Sequence, residues 1–153
     1  MAQEEQTLIL VKPDGVQTGH VGEIITRLER RRFKIAALKV VQATPAQLRA
    51  HYPQLLDKPF YGEIETYMLS GPLVAIIAEG TDVVADFHKM AGATNPQDAA
   101  CGTIRGDFGR AWADGSIRNV VHSSDSPESA QHEIEIWFPE QTQGGTIRVE
   151  DED

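Results

Sequence analysis

Leu73 to Ala78 is the longest uninterrupted apolar run in the chain. Six residues fall far short of the roughly 20 that a helix needs to cross a bilayer, so Leu-Val-Ala-Ile-Ile-Ala reads as a strand. Thr7 to Lys12 is a second such segment, stopped by the turn signal Pro13-Asp14-Gly15. Between them, Phe33 to Val41 alternates Phe33, Ile35, Ala37, Lys39 and Val41 with Lys34, Ala36, Leu38 and Val40, which predicts another strand with those two sets on opposite faces.

Helices fill the gaps. Val21, Ile24, Ile25 and Leu28 recur at helical spacing, and Thr44-Pro45-Ala46-Gln47 is a capping box that opens a short helix ended by Pro53. Phe60 to Leu69 predicts a further helix, as does Asp82 to Ala91, with Val83, Val84, Phe87 and Met90 inward and Gly92 as terminator. A long connection with Thr94, Arg105 and Arg110 then reads as a binding loop. A short strand through His122 follows, and then a helix from Pro127 with Ala130, Ile134 and Trp137 on one stripe. The order βαββαβ predicts an α+β, ferredoxin-like domain: a four-stranded antiparallel sheet with helices covering it and a long ligand-binding loop. The domain is expected over residues 1–138, followed by an acidic tail over 139–153 in which Thr146 to Val149 either pairs as a strand with another subunit or stays mobile.

His122 ends an apolar strand and is followed at once by hydroxyls and a carboxylate, which is how a chain presents a nucleophile. Ser126-Pro127-Glu128 has the capping hydroxyl, N1 proline and early acid of a helix start, so the imidazole is held between two rigid elements. If the fold returns Glu133 over the strand, its carboxylate takes the proton on one ring nitrogen and leaves the other free to attack. Any anionic substrate needs a local basic pocket, because 14 Lys and Arg against 23 Asp and Glu leave a net charge of −9. That balance opposes an extended grip on nucleic acid or an anionic membrane. Cys101 is the single cysteine, so neither an internal disulfide nor a thiolate cluster is available. With a polar, acidic Met1 to Gln6 in place of a leader, the expected location is the cytoplasm.

Val11-Lys12-Pro13-Asp14-Gly15, Gly92-Ala93-Thr94-Asn95-Pro96, Gly102-Thr103-Ile104-Arg105-Gly106-Asp107-Phe108 and Asn119-Val120-Val121-His122-Ser123-Ser124-Asp125-Ser126 occur in one order that resembles nucleoside diphosphate kinase across residues 5 to 138. The resemblance implies that His122 accepts the γ-phosphoryl of a nucleoside triphosphate and passes it to a nucleoside diphosphate, with ping-pong kinetics. It implies that Glu133 orients the ring, that Lys12, Thr94 and Arg105 bind phosphate, and that Tyr52 and Ser124 lie near the transferred group and the histidine. Asn119 matches a residue that bonds the sugar, Phe60 the aromatic on which any base stacks, and Ile64 the aliphatic side of that slot. Mg²⁺ is expected to arrive on the nucleotide, with at most a water-mediated contact from Asp125 and no direct protein ligand. The resemblance also implies a homo-oligomer, with a hexamer favoured over a tetramer or dimer.

The chain departs from that pattern at several places. His88 stands where the family has an arginine, with Lys89 beside it. Losing a charge-assisted bond worth about 1.5–3 kcal/mol weakens transition-state binding roughly ten- to a hundredfold unless one of them substitutes. The segment from Phe108 to Asn119 carries an insertion of about four residues, including Trp112 and Gly115, which is cheap in a loop. Ser123 replaces a small residue, commonly glycine, and Cys101 stands where proline is common. His88 and the insertion motivate one alternative, a weakened relative that binds nucleotides or partners without useful turnover. No P-loop sequence exists, and the basic aromatic motif of an RNA-binding sheet is missing.

Overall fold

The computed structural model describes residues 4–142. Strand β1 (Glu4–Val11) leads through α1 (Pro13–Gln17) and α2 (Val21–Arg30) into β2 (Lys34–Val41). Helices α3 (Pro45–His51) and α4 (Tyr61–Met68) precede β3 (Leu73–Thr81), which is followed by α5 (Val83–Ala91) and α6 (Ile104–Phe108). The two-residue strands β4 (Arg110–Ala111) and β5 (Ile117–Arg118), then β6 (Val121–Ser123), α7 (Pro127–Trp137) and the turn α8 (Pro139–Thr142) complete the chain.

The main sheet has the order β2-β3-β1-β6 and every neighbour is antiparallel, as the βαββαβ reading predicts. The central strands are continuously apolar because both their faces are covered. Ile9 and Val11 of β1 pack with Ile24 and Leu28 of α2 and with Val83, Val84 and Phe87 of α5. Leu8 and Leu10 face the opposite side, against Leu48 of α3, Met68 of α4, and Ile134 and Trp137 of α7. Both predicted caps form. Thr44 Oγ1 accepts from the Gln47 amide while Gln47 Oε1 accepts from the Thr44 amide, and Ser126 Oγ accepts from the Ser129 amide.

Two expectations need correction. β2 alternates strictly in exposure, but its register with β3 slips: Ile35 pairs with Ala78 and Ala37 with Ile77, so a bulge falls at Ala36. Ile35 therefore joins the α2/α5 core while Ala37 and Val41 join the α7 core. The connection after α5 is also more ordered than a long binding loop. It contains a 3₁₀ turn at Pro96–Asp98, helix α6, and a β4–β5 hairpin pairing Arg110 with Arg118 and Ala111 with Ile117. The segment from Phe108 to Asn119, where the spacing predicts an insertion, contains this hairpin, whose turn is closed by Trp112 N–H to Ser116 O at 2.9 Å and Gly115 N–H to Trp112 O at 3.0 Å. Gly115 has φ 92°, a conformation that side chains resist.

At the other end, Glu140 of α8 bonds Lys39 Nζ at 2.8 Å. The strand expected at Thr146 to Val149 lies outside the described residues. Among the described residues, no helix is long and apolar enough to cross a membrane.

Candidate active site

Four elements converge where β1 ends. Lys12 follows β1, and its amide donates to Val120 O at 2.8 Å. Residues 119–121 form a γ-turn, with Val121 N–H to Asn119 O at 2.7 Å and Val120 at φ 75°. A β-branched residue with positive φ is strained and persists only where its surroundings over-determine it. Here the Val120 amide donates to Asp14 Oδ2 at 3.1 Å and its side chain is buried. Asp14 is held in turn by its amide donating to the Tyr67 hydroxyl at 2.8 Å. Gly15 is required at this crossing, since a Cβ there would lie 2.9 Å from Val11 Cγ1 and 3.0 Å from Val120 Cγ1.

The γ-turn delivers His122 onto β6, opposite Leu10 of β1. Its Nε2 lies 2.8 Å from Glu133 Oε1, reaching from α7. Because a carboxylate accepts, Nε2 carries the proton and Nδ1 keeps its lone pair. Ser124 Oγ donates to the same Glu133 oxygen at 2.6 Å and accepts from the Leu8 amide at 3.1 Å. The residue is fully buried, so what the hydroxyl reaches in the structure is the Glu133 carboxylate. Tyr52, at the end of α3, is half-buried, and burial together with the Glu133 carboxylate pushes its hydroxyl pKa well up, so it stays protonated as a neutral donor.

The cationic wall is built from Lys12 and Arg105. Lys12 Nζ donates to Asn119 Oδ1 at 2.8 Å, and Asn119 Nδ2 donates to the carbonyl of the exposed Thr94 at 3.0 Å. Burial, reinforced by Arg105 and opposed by Asp14, lowers the Lys12 pKa to about 8. Arg105, at the start of α6, is buried and donates to three backbone carbonyls: Gly92 and Val121 at 2.8 Å, and Asn119 at 3.3 Å. It thereby ties the end of α5 to the strand that carries His122. Three of its five N–H groups are used in this way, which leaves two for an anion.

His88, in the last turn of α5, is exposed and its Nδ1 lies 3.4 Å from Ser123 Oγ. Phe60 caps α4 with 47% of its surface exposed, as an aromatic platform requires. Ile64, one turn on, is partly buried against the α7 core. Both stand on α4 and share no hydrogen bond with the His122 group in the described structure.

His51 escaped the sequence reading. It ends α3, is 5% exposed, and its ring centroid lies 4.3 Å from that of His122. No local signal marks it, since a histidine in the last turn of a helix is ordinary.

An antiparallel α+β sheet presenting a carboxylate-held imidazole beside a half-buried lysine and a buried arginine is the arrangement that a phosphotransferase working through histidine requires. The family model for nucleoside diphosphate kinase matches residues 5–143. The chain is similar to the nucleoside diphosphate kinase of Emericella nidulans, 54% identical over 91% of this chain and 89% of the relative. It is likewise similar to that of Nocardia farcinica, 50% identical over 89% of this chain and 96% of the relative. The crystal structure of a nucleoside diphosphate kinase family protein from Babesia bovis superposes with a TM-score of 0.83 at 38% identity, covering 97% of this chain and 95% of the other. The chain belongs to the nucleoside diphosphate kinase family of nucleotide phosphotransferases.

Proposed function

We propose that the protein transfers the γ-phosphoryl of a nucleoside triphosphate to a nucleoside diphosphate through a phosphohistidine on His122. The observation that carries this reading is the 2.8 Å contact between His122 Nε2 and Glu133, which leaves Nδ1 as the nucleophilic lone pair. Nδ1 attacks the γ-phosphorus, the bond to the bridging oxygen breaks, and the diphosphate leaves with the bond electrons. A terminal oxygen of the second diphosphate then attacks the same phosphorus and returns the imidazole to its neutral form.

Lys12, Arg105, Thr94 and the Tyr52 hydroxyl would steady the phosphates, with His88 in the place of a further cation. Asn119 would hold the sugar, while Phe60 and Ile64 would border the base. Stacking on Phe60 accepts every base, which supports broad nucleotide use. Mg²⁺ fits as a companion of the nucleotide, because the charged side chains of the phosphate cleft are the cations Lys12 and Arg105, the Glu133 oxygen facing the ring is already bonded twice, and Asp125 would reach the ion at most through water. It would supply charge neutralisation on the phosphates.

A homo-oligomer, hexameric in the favoured form, is supported by edge strand β2, where Leu38 and Val40 are 44% and 67% exposed. Residues 1–138 would form the catalytic domain, and a cytoplasmic setting suits a chain with one cysteine.

Incubation with γ-labelled ATP tests the central step. The expected product is an acid-labile, alkali-stable phosphate that is chased onto GDP and is missing in His122→Ala. Label that survives this substitution would overturn the reading. Light scattering at the same concentration reads the assembly.

A further inference from the structure

Trp137 Nε1 lies 3.0 Å from His51 Nδ1 in the interior. An indole N–H can only donate, so Nδ1 must accept and the proton of the neutral ring sits on Nε2. His51 Nε2 is buried and has no hydrogen-bond partner among the described residues. A buried N–H without an acceptor costs about 1–3 kcal/mol. The ring that carries this unpaired donor stands beside the reacting centre: a His51 ring nitrogen, a His122 ring nitrogen and a Glu133 oxygen all lie within 4.8 Å of one another. The two imidazoles meet at 72°, edge to face, with centroids 4.3 Å apart.

Such a trio of ligand atoms resembles a cation site, but the tautomer excludes that use. Nδ1 is taken by Trp137, and Nε2 carries a hydrogen where a metal needs a lone pair. What the arrangement does match is an incoming anion.

We propose that His51, locked by Trp137, is a second functional histidine, whose Nε2–H donates to an oxygen of the phosphoryl group carried by His122. A phosphoryl group brings three strong acceptors into this space, and the donor unpaired at rest becomes paired as the group arrives. Burial first, and then the neighbouring His122 and Lys12, hold the His51 pKa down to about 2, so the donor is neutral throughout the working pH range. It therefore stabilises the phosphoryl oxygens without making His122 harder to phosphorylate by adding a second imidazolium.

The inference rests on the phosphohistidine reading, and the experiment separates the two. Single-turnover formation and discharge of phosphohistidine is followed in the full-length protein and in His51→Gln, which keeps an amide N–H near the Nε2 position, and His51→Leu, which does not. The expected result is a ten- to hundredfold slower transfer in His51→Leu, substantial recovery in His51→Gln, and unchanged nucleotide KM in both. Nitrogen NMR of the unmodified protein should show a bare Nδ1 and a protonated Nε2 on His51, with Nε2 shifting on phosphorylation of His122. Equal loss in the two variants, or an Nε2 signal indifferent to phosphorylation, overturns the role of His51 while leaving His122 intact. If the unmodified protein takes up no phosphate, the phosphohistidine reading itself fails.

Discussion

Ser123 Oγ lies 3.4 Å from His88 Nδ1, so the two residues near His122 at which the sequence reading expects departures from the family's pattern meet each other. Ser123 is buried and His88 exposed, which places an imidazole over the hydroxyl at the rim of the phosphate cleft. His88→Arg restores a permanent cation there. It is expected to raise kcat/KM about tenfold, the worth of one charge-assisted bond, and more when combined with Ser123→Gly, which clears room for the longer side chain. Steady-state kinetics with several triphosphates check this, and an unchanged kcat/KM would show that His88 already supplies the donor.

Glu133 and Ser124 act as one unit behind the nucleophile, since both bonds converge on Glu133 Oε1. Glu133→Ala frees the His122 ring to rotate and lose its tautomer, and kcat is expected to fall roughly a hundredfold with KM little changed. Ser124→Ala is expected to cost about tenfold in kcat. It also costs about 1–3 kcal/mol of stability, because the Leu8 amide loses the hydroxyl it donates to. Chemical denaturation alongside the kinetics separates the two effects.

Lys12 gives the pH dependence a definite sign. With its pKa lowered to about 8 by burial, the side chain is charged below that point and neutral above it. Nucleotide kcat/KM is therefore expected to fall as pH rises through about 8, and Lys12→Arg, which stays protonated, should flatten that limb while lowering activity. Stability runs the other way. Between about 8 and the ordinary 10.5 the unfolded chain holds more protons on this lysine than the native one, so its burial penalty fades as pH rises. Thermal unfolding of Lys12→Met against the unmodified chain, at pH 7 and pH 10, should show a stabilisation that shrinks at the higher pH.

Gly15 couples the first turn to the strained Val120. Gly15→Ala places a methyl about 3 Å from Val11 and Val120 side-chain carbons, both in the packed interior. The expected cost is about 1–3 kcal/mol of stability. Activity should also drop, because displacing Val120 moves the turn that sets His122 two residues later. A variant of full stability and full rate would show that the turn accommodates the methyl without disturbing the histidine.

Much of the fold was legible because its signals are local. The apolar runs of β1 and β3, the helical repeat of α2, and the caps at Thr44 and Ser126 all lie within a few residues of what they specify. The pairing of His122 with Glu133 was legible for the same reason: they are 11 residues apart, on a strand and the helix that follows it. Other features depend on partners far along the chain. Ala36 bulges because β2 must match both cores that flank β3, and the alternating sequence of β2 alone cannot show where the register slips.

Residue types, turn chemistry and the nucleophile's setting were determined by the sequence itself, because each depends on a handful of adjacent side chains. Tertiary structure alone decided that Arg105 spends three donors on backbone carbonyls, and that His88 leans on Ser123. It likewise brought Trp137, 86 residues away, to fix the proton of His51 beside the nucleophile. Hydrogen-bond donors carry no mark of their eventual acceptors. Which distant donor meets which acceptor is settled only when the two faces of the sheet close over their cores.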